Sequence, residues 1–156
     1  MKISKAIGAE SLPSEYYTAI GEVLVEWGWL DFRVHEVAWH FMGMDRKSGR
    51  AVTSQMDIRA LIKAVRALAG RKITDIRGAR RVDRLLGKLL NLVDERNLLV
   101  HGYWSYESKT ETATVYQFRG HSDAGKPEIY GVKKLLALAQ SLKADRLLLQ
   151  RLVDQV

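Results

Sequence analysis

The sequence predicts a mainly α-helical domain, in which four to five helices form a bundle and a short β-hairpin precedes the last helix. Apolar residues recur at three- and four-residue steps in four long segments, the period of a helix that is packed along one face. The period changes to two in one stretch after residue 102, which is typical of strands. With 156 residues, of which 47% are hydrophobic, the chain is long enough for a single domain with its own core.

The first helix is predicted from about residue 14 to residue 42, with Ser11 or Ser14 as its cap. One side of it carries a continuous apolar stripe, made of Ile20, Val23, Leu24, Trp27, Leu30, Val34, Val37, Ala38 and Phe41. A second apolar set lies on roughly the opposite side and consists of Val25, Trp29, Phe32 and Trp39. A helix that is apolar on both sides must be covered on both sides, so this helix is expected at the centre of the bundle or at a subunit interface.

The other elements follow in chain order. Residues 43–51 predict a polar loop, after which Thr53 or Ser54 is expected to cap a second helix that ends at Gly70. A third helix is predicted from near Gly78 to His101. The alternating segments 103–106 and 112–118 predict a hairpin, residues 120–127 a loop, and residues 132–153 the last helix.

Composition excludes several classes of protein. The chain contains no cysteine, which excludes disulfides, thiolate metal sites and cysteine nucleophiles. No apolar stretch approaches the roughly 20 residues that a membrane span needs, and the charged N-terminus is not followed by the apolar region of a signal peptide. These features predict a cytoplasmic protein with no membrane partner. The net charge of +7 is consistent with an anionic partner such as a nucleic acid.

No metal site and no cofactor are predicted. His35 and His40 are five residues apart and therefore do not share one face of a helix, which excludes the metalloprotease pattern. Basic residues at three- and four-residue steps on the third helix could instead follow an RNA backbone: Arg77, Arg80, Arg81, Arg84 and Lys88. The alternative is a solvated face that includes Asp83.

An arginine interrupts the apolar stripe of the third helix. The stripe is formed by Leu85, Leu89, Leu92, Val93 and Val100. Its next expected position after Val93 is Arg96. Burying an unpaired guanidinium costs several kcal/mol, so Arg96 is expected to meet a carboxylate or to face a wet cleft. Asp31, which interrupts the first helix in the same manner, is the candidate partner, and Glu26 and Glu36 are weaker ones.

His101 ends the same helix, and Gly102 is expected to supply the backbone freedom of a helix C-terminus. An arginine and a histidine at one helix end, with Asn97 between them, could bind a phosphodiester and move a proton near neutral pH. The alternative is that Arg96 forms a structural ion pair and that His101 is a helix cap.

The string Glu95-Arg96-Asn97-Leu98-Leu99-Val100-His101-Gly102-Tyr103 resembles the motif region of HEPN proteins, whose signature is Arg-polar-x-x-x-His late in a long helix of a small helical domain. The resemblance implies a homodimer that brings two motifs into one cleft, and a metal-independent endoribonuclease. Arg96 would bind the scissile phosphate, His101 would assist proton transfer, and Asn97 would orient one of them or the RNA. Cleavage would use the ribose 2′-OH and leave a 2′,3′-cyclic phosphate. Such enzymes serve as toxins or in phage defence.

Tyr103 extends the resemblance. Arg-x4-His-x-Tyr is similar to the motif of HEPN toxins whose tyrosine is adenylylated by a partner nucleotidyltransferase antitoxin, although the hairpin that begins at Tyr103 departs from those all-α proteins. The alternative is that Tyr103 is simply the first residue of a strand. For the whole protein, the alternatives are a catalytically silent HEPN-like dimer that binds RNA, nucleotide or a partner protein, and a structural helical adaptor.

Overall fold

Residues 11–117 and 127–154 are described by the structure, a computed structural model, and they form five helices and three short strands. The elements in chain order are α1 (Ser14–Met42), α2 (Arg46–Thr53), α3 (Ile58–Lys72), α4 (Ile76–His101), β1 (Tyr103–Glu107), β2 (Thr112–Tyr116), β3 (Glu128–Tyr130) and α5 (Val132–Asp154). The fold is thus mainly helical, with a small antiparallel sheet before the last helix, as the sequence predicts. The predicted loop at 120–126 and the end of the second hairpin strand at Phe118 lie outside the described residues.

The long helix α1 lies at the centre of the bundle. It packs most extensively against α5, and also against α3, α2 and α4. Its inner face is fully buried at Val23, Leu30, Val34 and Val37, as predicted for the main stripe, but the placement of Leu24 in that stripe is wrong, because Leu24 is 37% exposed. Gly43 ends the helix in the left-handed conformation, with φ of 68°, where glycine is favoured because it lacks a Cβ.

The predicted cap of α1 is wrong. Pro13 occupies the capping position and no side chain there accepts a hydrogen bond from the helix. A main-chain hydrogen bond closes the first turn instead, in which the Tyr16 N–H donates to the Pro13 carbonyl oxygen at 3.0 Å.

Helix α2 lies where the sequence predicts a loop. It begins at the Asp45 cap, whose carboxylate accepts hydrogen bonds from the backbone N–H groups of Lys47 and Ser48, and it buries only Gly49 and Thr53. With so little apolar surface, it has no helical periodicity to detect. The next helix, α3, consequently begins at Ile58 rather than at Thr53 or Ser54, and it continues past Gly70 to Lys72.

Gly49 allows α2 to lie directly on α1. A Cβ at this position would come closer than 3.0 Å to three ring atoms of Trp39, so any larger residue would lift α2 from the indole. Trp39 is therefore buried, at 5% exposure. The second apolar set of α1 is thus covered by α2 at this end.

The sheet has three antiparallel strands in the order β1-β2-β3. Tyr103 lies opposite Tyr116 in the first pair, and Val115 lies opposite Glu128 in the second. The hairpin is as predicted, whereas β3, only three residues long, is an addition to the prediction. Ala113, Val115 and Tyr130 bring the buried side of this sheet into the helical core.

None of the helices in the described ranges combines the length and the apolarity that crossing a membrane would require.

Candidate functional site

Helix α4 changes its buried side shortly before it ends. Val82, Leu85, Leu89 and Val93 are buried, which confirms the predicted stripe up to that point. Val100 lies on the same side but is 38% exposed, so its placement in the core stripe is wrong. Leu98 and Leu99, on other sides of the helix, are buried instead. The stripe that contains Arg96 therefore leaves the core before the helix ends.

Arg96 is half-buried on this stripe. Its Nη1 donates a hydrogen bond to Asn97 Oδ1 at 2.9 Å, and its Cζ lies 5.9 Å from the centre of the Trp27 ring, within the range of a cation–π contact. Its Nε is buried without a hydrogen-bond partner. The guanidinium is thus oriented by an amide and an indole, and its charge is not neutralised by contact with a carboxylate in the described part of the chain.

The predicted ion pair between Arg96 and Asp31 is not formed within 4.0 Å. Burial raises the pKa of Asp31, while the nearby basic side chains of His35 and Arg96 act in the opposite direction. The two groups therefore interact through space rather than by contact. The weaker candidates are engaged elsewhere, because Glu26 faces Arg146 at 3.6 Å and Glu36 pairs with Arg33.

His101 is the exposed last residue of α4. Residues five positions apart on a helix are separated by about 140° around its axis and about 7.5 Å along it. Arg96 and His101 therefore lie on different sides of one helix, whereas Asn97 and His101, four residues apart, lie on the same side. A single chain places Asn97 beside each of the other two residues and does not bring Arg96 and His101 onto one face.

Gly102 joins α4 to β1, but not through the conformation predicted for it. Its φ is −76°, which any residue adopts. The reason for glycine is space, since a Cβ would come closer than 3.0 Å to Val115 Cγ2 and to the Leu98 carbonyl oxygen. The indole Nε1 of Trp104 donates to the Leu99 carbonyl at 3.1 Å. The sheet thus fixes the last turn of the helix that carries His101.

Tyr103 is the first residue of β1 and is 39% exposed. Its backbone pairs with Tyr116 of β2, so it has the structural role that the sequence offers as an alternative. Its exposure leaves the side chain open to modification as well.

The predicted basic stripe divides into two parts. Arg77, Arg80, Arg81 and Arg84 are exposed on α4. Lys88 is also exposed, but its Nζ lies 2.6 Å from Asp145 Oδ2 and 2.9 Å from Ser141 Oγ on α5. Asp83, within the stripe, pairs with Arg66 at 2.7 Å. The four arginines are therefore available to an anionic partner, whereas Lys88 joins two helices.

The side of the α4 end that faces away from Arg96 is acidic, and it continues the line of the arginine stripe, since Glu95 follows Arg84 by eleven residues, or about three turns. A cavity of about 340 Å³ there is lined by Asn91, Asp94, Glu95, Leu98, Gln117 and Glu128. The buried Tyr130 hydroxyl lies 3.1 Å from Glu95 Oε1 and 3.2 Å from Glu128 Oε2, and burial beside these two carboxylates raises the pKa of Tyr130 strongly. An RNA strand would be repelled from this side.

A second cavity, between α1 and α2, has no counterpart in the sequence-based predictions. It encloses about 310 Å³ and is lined by Phe32, His35, Trp39, Arg46, Arg50, Thr53 and Ser54. Arg46 and Arg50 are four residues apart, a spacing that places two side chains on the same side of a helix. Because no helix was predicted for this segment, the spacing did not indicate a site. Within the described residues, no group of three or more histidine, aspartate or glutamate side chains is placed to hold a metal ion.

Comparison with known proteins adds no relative. No family model, no curated protein and no solved structure matches this chain.

Proposed function

We propose that this protein is a HEPN-type, metal-independent endoribonuclease that acts as a homodimer in the cytoplasm, as a toxin or phage-defence effector. The proposal rests on the arrangement of three side chains at the end of α4. There the Arg96-Asn97-x3-His101 pattern combines a guanidinium without a contacting carboxylate, an amide hydrogen-bonded to it, and an exposed imidazole. An arginine held only for stability would be expected to contact an acidic side chain, as Arg66 does with Asp83.

The chemistry requires a phosphate ligand and a proton carrier. The ribose 2′-oxygen attacks the phosphorus and loses its proton to a base, while the bond from phosphorus to the 5′-oxygen breaks and that oxygen receives a proton. Imidazole can supply or accept such a proton near neutral pH. The guanidinium of Arg96 would stabilise the negative charge on the non-bridging oxygens. The products would be a 2′,3′-cyclic phosphate and a free 5′-hydroxyl, so DNA should be inert.

A homodimer could bring an arginine and a histidine together, which one chain does not do. Because Arg96 and His101 lie on different sides of α4, a second copy is needed to bring a histidine opposite the arginine. The outer face of α1 offers the contact surface, here called the open α1 face and defined as Tyr17, Gly21, Leu24, Val25, Gly28 and Trp29. Tyr17, Val25 and Trp29 are 59%, 60% and 56% exposed, and nothing lies within 4 Å of a Cβ added at either glycine. Two glycines on an apolar face would let a second helix approach closely.

RNA would be held by the arginines of α4. Arg84 precedes Arg96 by twelve residues, which separates them by roughly 18 Å along the helix and about 120° around its axis, so an RNA strand on Arg77, Arg80, Arg81 and Arg84 would have to wind around α4 to reach the motif. Contacts of this kind neutralise phosphates and weaken with salt.

Tyr103 is the proposed contact with a nucleotidyltransferase antitoxin. Its side chain is exposed and follows His101 by two residues. Transfer of AMP from ATP to the phenolic oxygen, with release of pyrophosphate, would place a bulky anion beside the histidine and would repel RNA.

The alternative is a catalytically silent HEPN-like dimer that binds RNA, nucleotide or a partner protein. The separation of Arg96 and His101 around the axis of α4 favours it. Such a module would keep the dimer and would lack cleavage.

The test is incubation of the purified protein with a labelled structured RNA in EDTA, beside His101→Ala. His40→Ala is the matched control, because His40 is an exposed histidine near the end of a different helix. We expect wild type and His40→Ala to cleave and to leave a cyclic phosphate, and His101→Ala to be inactive. Intact RNA with the wild-type protein, whose mass shows no modification, would overturn the nuclease in favour of the silent dimer.

Arg96→Gln separates the nuclease from the structural adaptor. As a nuclease residue, Arg96 can be replaced without unfolding, and the variant should keep the circular dichroism of the wild type while losing cleavage. Unfolding of Arg96→Gln together with an inactive wild type would favour the adaptor.

A further inference from the structure

Helix α2 is a short basic helix that contributes little to the core. It buries only Gly49 and Thr53, while Arg46, Lys47 and Arg50 are exposed. Gly49 lies against Trp39, so the backbone of α2 is close to α1 at that point. On the side of Phe32 and His35 the two helices leave the cavity of about 310 Å³ described above.

The positive charge at this cavity has no counter-charge. Arg46 and Arg50 line it together, as residues four apart on one side of a helix do. Neither has a carboxylate within 4.0 Å among the described residues. Two carboxylates of the neighbouring segments are engaged elsewhere, since Asp45 caps α2 and Glu36 pairs with Arg33, and Asp57, seven residues after Arg50, makes no ion pair with it.

The polar wall of the cavity is fixed by a complete set of hydrogen bonds. The Thr53 hydroxyl lies 3.0 Å from the Gly49 carbonyl, which can only accept, and receives the Trp39 Nε1–H at 2.9 Å. With its proton thus used, it accepts from His35 Nδ1, which is 2.8 Å away. This assignment leaves Nε2 of His35 for other contacts. Above the opposite wall, the Arg46 guanidinium lies 5.3 Å from the centre of the Phe32 ring, a contact that orients its donors.

The size and the aromatic walls indicate more than a bare anion. A volume of about 310 Å³ is at the lower end of the roughly 300–1,000 Å³ of small-molecule sites. The half-buried Phe32 supplies an accessible apolar wall, because Trp39 is covered by α2, while the two guanidinium groups supply forked donors that match phosphate oxygens. A ligand that satisfies both parts carries a phosphate on a planar ring system.

We propose that the cavity between α1 and α2 binds a nucleotide, with its phosphate between Arg46 and Arg50 and its base against Phe32, beside the buried Trp39. The shared chemistry is a nucleoside phosphate, either a free mononucleotide or one nucleotide of an RNA chain. This site uses no residue of the Arg96-Asn97-x3-His101 pattern and does not depend on the nuclease proposal. It lies one helical turn of α1 from Asp31, since His35 lines the cavity and follows Asp31 by four residues.

The experiment is isothermal titration of the full chain with 5′-AMP, with inorganic phosphate and with a short single-stranded RNA that has no cleavable 2′-OH. The test variant is Arg46→Gln/Arg50→Gln. The control is Lys133→Gln/Lys143→Gln, which removes the same charge from exposed positions on α5. Circular dichroism establishes that both variants are folded, and His101→Ala and Arg96→Gln are titrated in parallel.

We expect 5′-AMP to bind to the wild type, to the control and to His101→Ala with similar affinity, and about tenfold or more weakly to Arg46→Gln/Arg50→Gln, as two lost charge-assisted contacts would give. Competition between the RNA and 5′-AMP, with the same dependence on the two arginines, would identify the ligand as a nucleotide of the strand. Binding of 5′-AMP without such competition would identify a free nucleotide. Equal affinity of the test variant and the control, no binding at about 5 mM, or phosphate binding as tightly as 5′-AMP would overturn the proposal.

Retention of 5′-AMP binding by His101→Ala and by Arg96→Gln, which removes the proposed phosphate ligand of the nuclease, separates this site from the catalytic one. A protein that binds nucleotide through Arg46 and Arg50 but cleaves no RNA would support the present proposal and contradict the nuclease. A protein that cleaves RNA but binds no nucleotide at this cavity would do the reverse.

Discussion

The indole Nε1 of Trp104 donates a hydrogen bond to the carbonyl oxygen of Leu99, and this bond ties strand β1 to the last turn of α4. The last carbonyls of a helix have no partner within the helix, so a side chain that binds one of them stabilises the helix end. His101 lies in this turn. The position of the candidate catalytic histidine therefore depends on a residue that follows it in the sheet.

Replacement of Trp104 tests this dependence. Trp104→Phe keeps an aromatic ring and removes the donor, and we expect the free energy of unfolding to fall by about 1 kcal/mol and RNA cleavage to fall with it. Urea denaturation measures the first effect. The control is Tyr103→Phe, which removes only an exposed hydroxyl from the neighbouring residue. An equal loss of stability in both variants would contradict the role of the indole N–H.

Gly49 should be intolerant of a methyl group. In Gly49→Ala the new Cβ meets the Trp39 ring, and we expect a loss of about 1–3 kcal/mol in unfolding free energy and a change in tryptophan fluorescence. Gly70→Ala is the control, because it lies within α3 with nothing inside 4 Å, and it should be neutral or more stable by up to about 1 kcal/mol. Equal stability of Gly49→Ala and wild type would mean that α2 is not held against Trp39.

Lys88 should act on stability more than on RNA binding. Asp145 is 7% exposed, and Lys88→Met would leave its carboxylate without a cation. We expect a loss of about 1–2 kcal/mol, less than for a fully buried pair because the Lys88 side chain is 47% exposed. Arg84→Met removes the same charge from the same helix and should instead weaken RNA binding with little effect on stability. Thermal unfolding and filter binding distinguish the two, and the reverse pattern would contradict this division of the stripe.

Asp31 should make the stability of the protein depend on pH. Burial is the largest influence on its pKa and raises it above the ordinary value of 3.8. The folded state then holds the proton more tightly than the unfolded state. The free energy of unfolding therefore decreases as the pH rises from about 4 through the raised pKa, and it stays lower at higher pH. Asp31→Asn should gain melting temperature relative to wild type across that window and show no gain below it.

Differential scanning fluorimetry of both proteins from about pH 4 to about pH 7 measures the trend. Asp57→Asn, an exposed aspartate without a capping hydrogen bond, is the control. A gain in stability of wild type over Asp31→Asn with rising pH would contradict this prediction and would show that attraction to His35 and Arg96 outweighs the burial of Asp31.

The open α1 face predicts a specific monomeric variant. Trp29→Glu places a charge where two copies would meet, and we expect sedimentation to change from dimer to monomer and cleavage to be lost, with the circular dichroism unchanged. Ile76→Glu is the control, because Ile76 is 68% exposed on α4 and lies outside this face. A dimer that survives Trp29→Glu would place the interface elsewhere.

The long elements could be predicted from the sequence because each buries a periodic apolar stripe. Helix α1 agrees with its prediction at both ends, and α4 differs only at its start, where Asp75 caps it and its backbone begins at Ile76. Helix α2 and strand β3 could not be predicted. Helix α2 is held by the contact of Gly49 with the Trp39 ring, and β3 pairs with β2, which lies more than ten residues earlier in the chain. Neither interaction produces a periodic pattern in the local sequence.

The site residues Arg96, Asn97 and His101 stay a prediction, and their arrangement around α4 was not foreseen. The interruption of the stripe by Arg96 marked an unusual position correctly. The exposure of Val100 could not be foreseen, because it depends on where the sheet packs against α4 and buries Leu98 and Leu99 instead. The pairing of Lys88 with Asp145, which joins residues 57 positions apart, likewise depends on the way in which α4 and α5 pack.

The tight junction at Gly102 has a consequence for evolution. A side chain at this position would meet both Val115 and the Leu98 carbonyl, and the second of these is main chain, which no compensating substitution can remove. Descendants of this protein that keep the sheet against α4 should therefore retain glycine at 102, whatever happens to the residues around it. Lineages that have lost this glycine should have lost the hairpin with it.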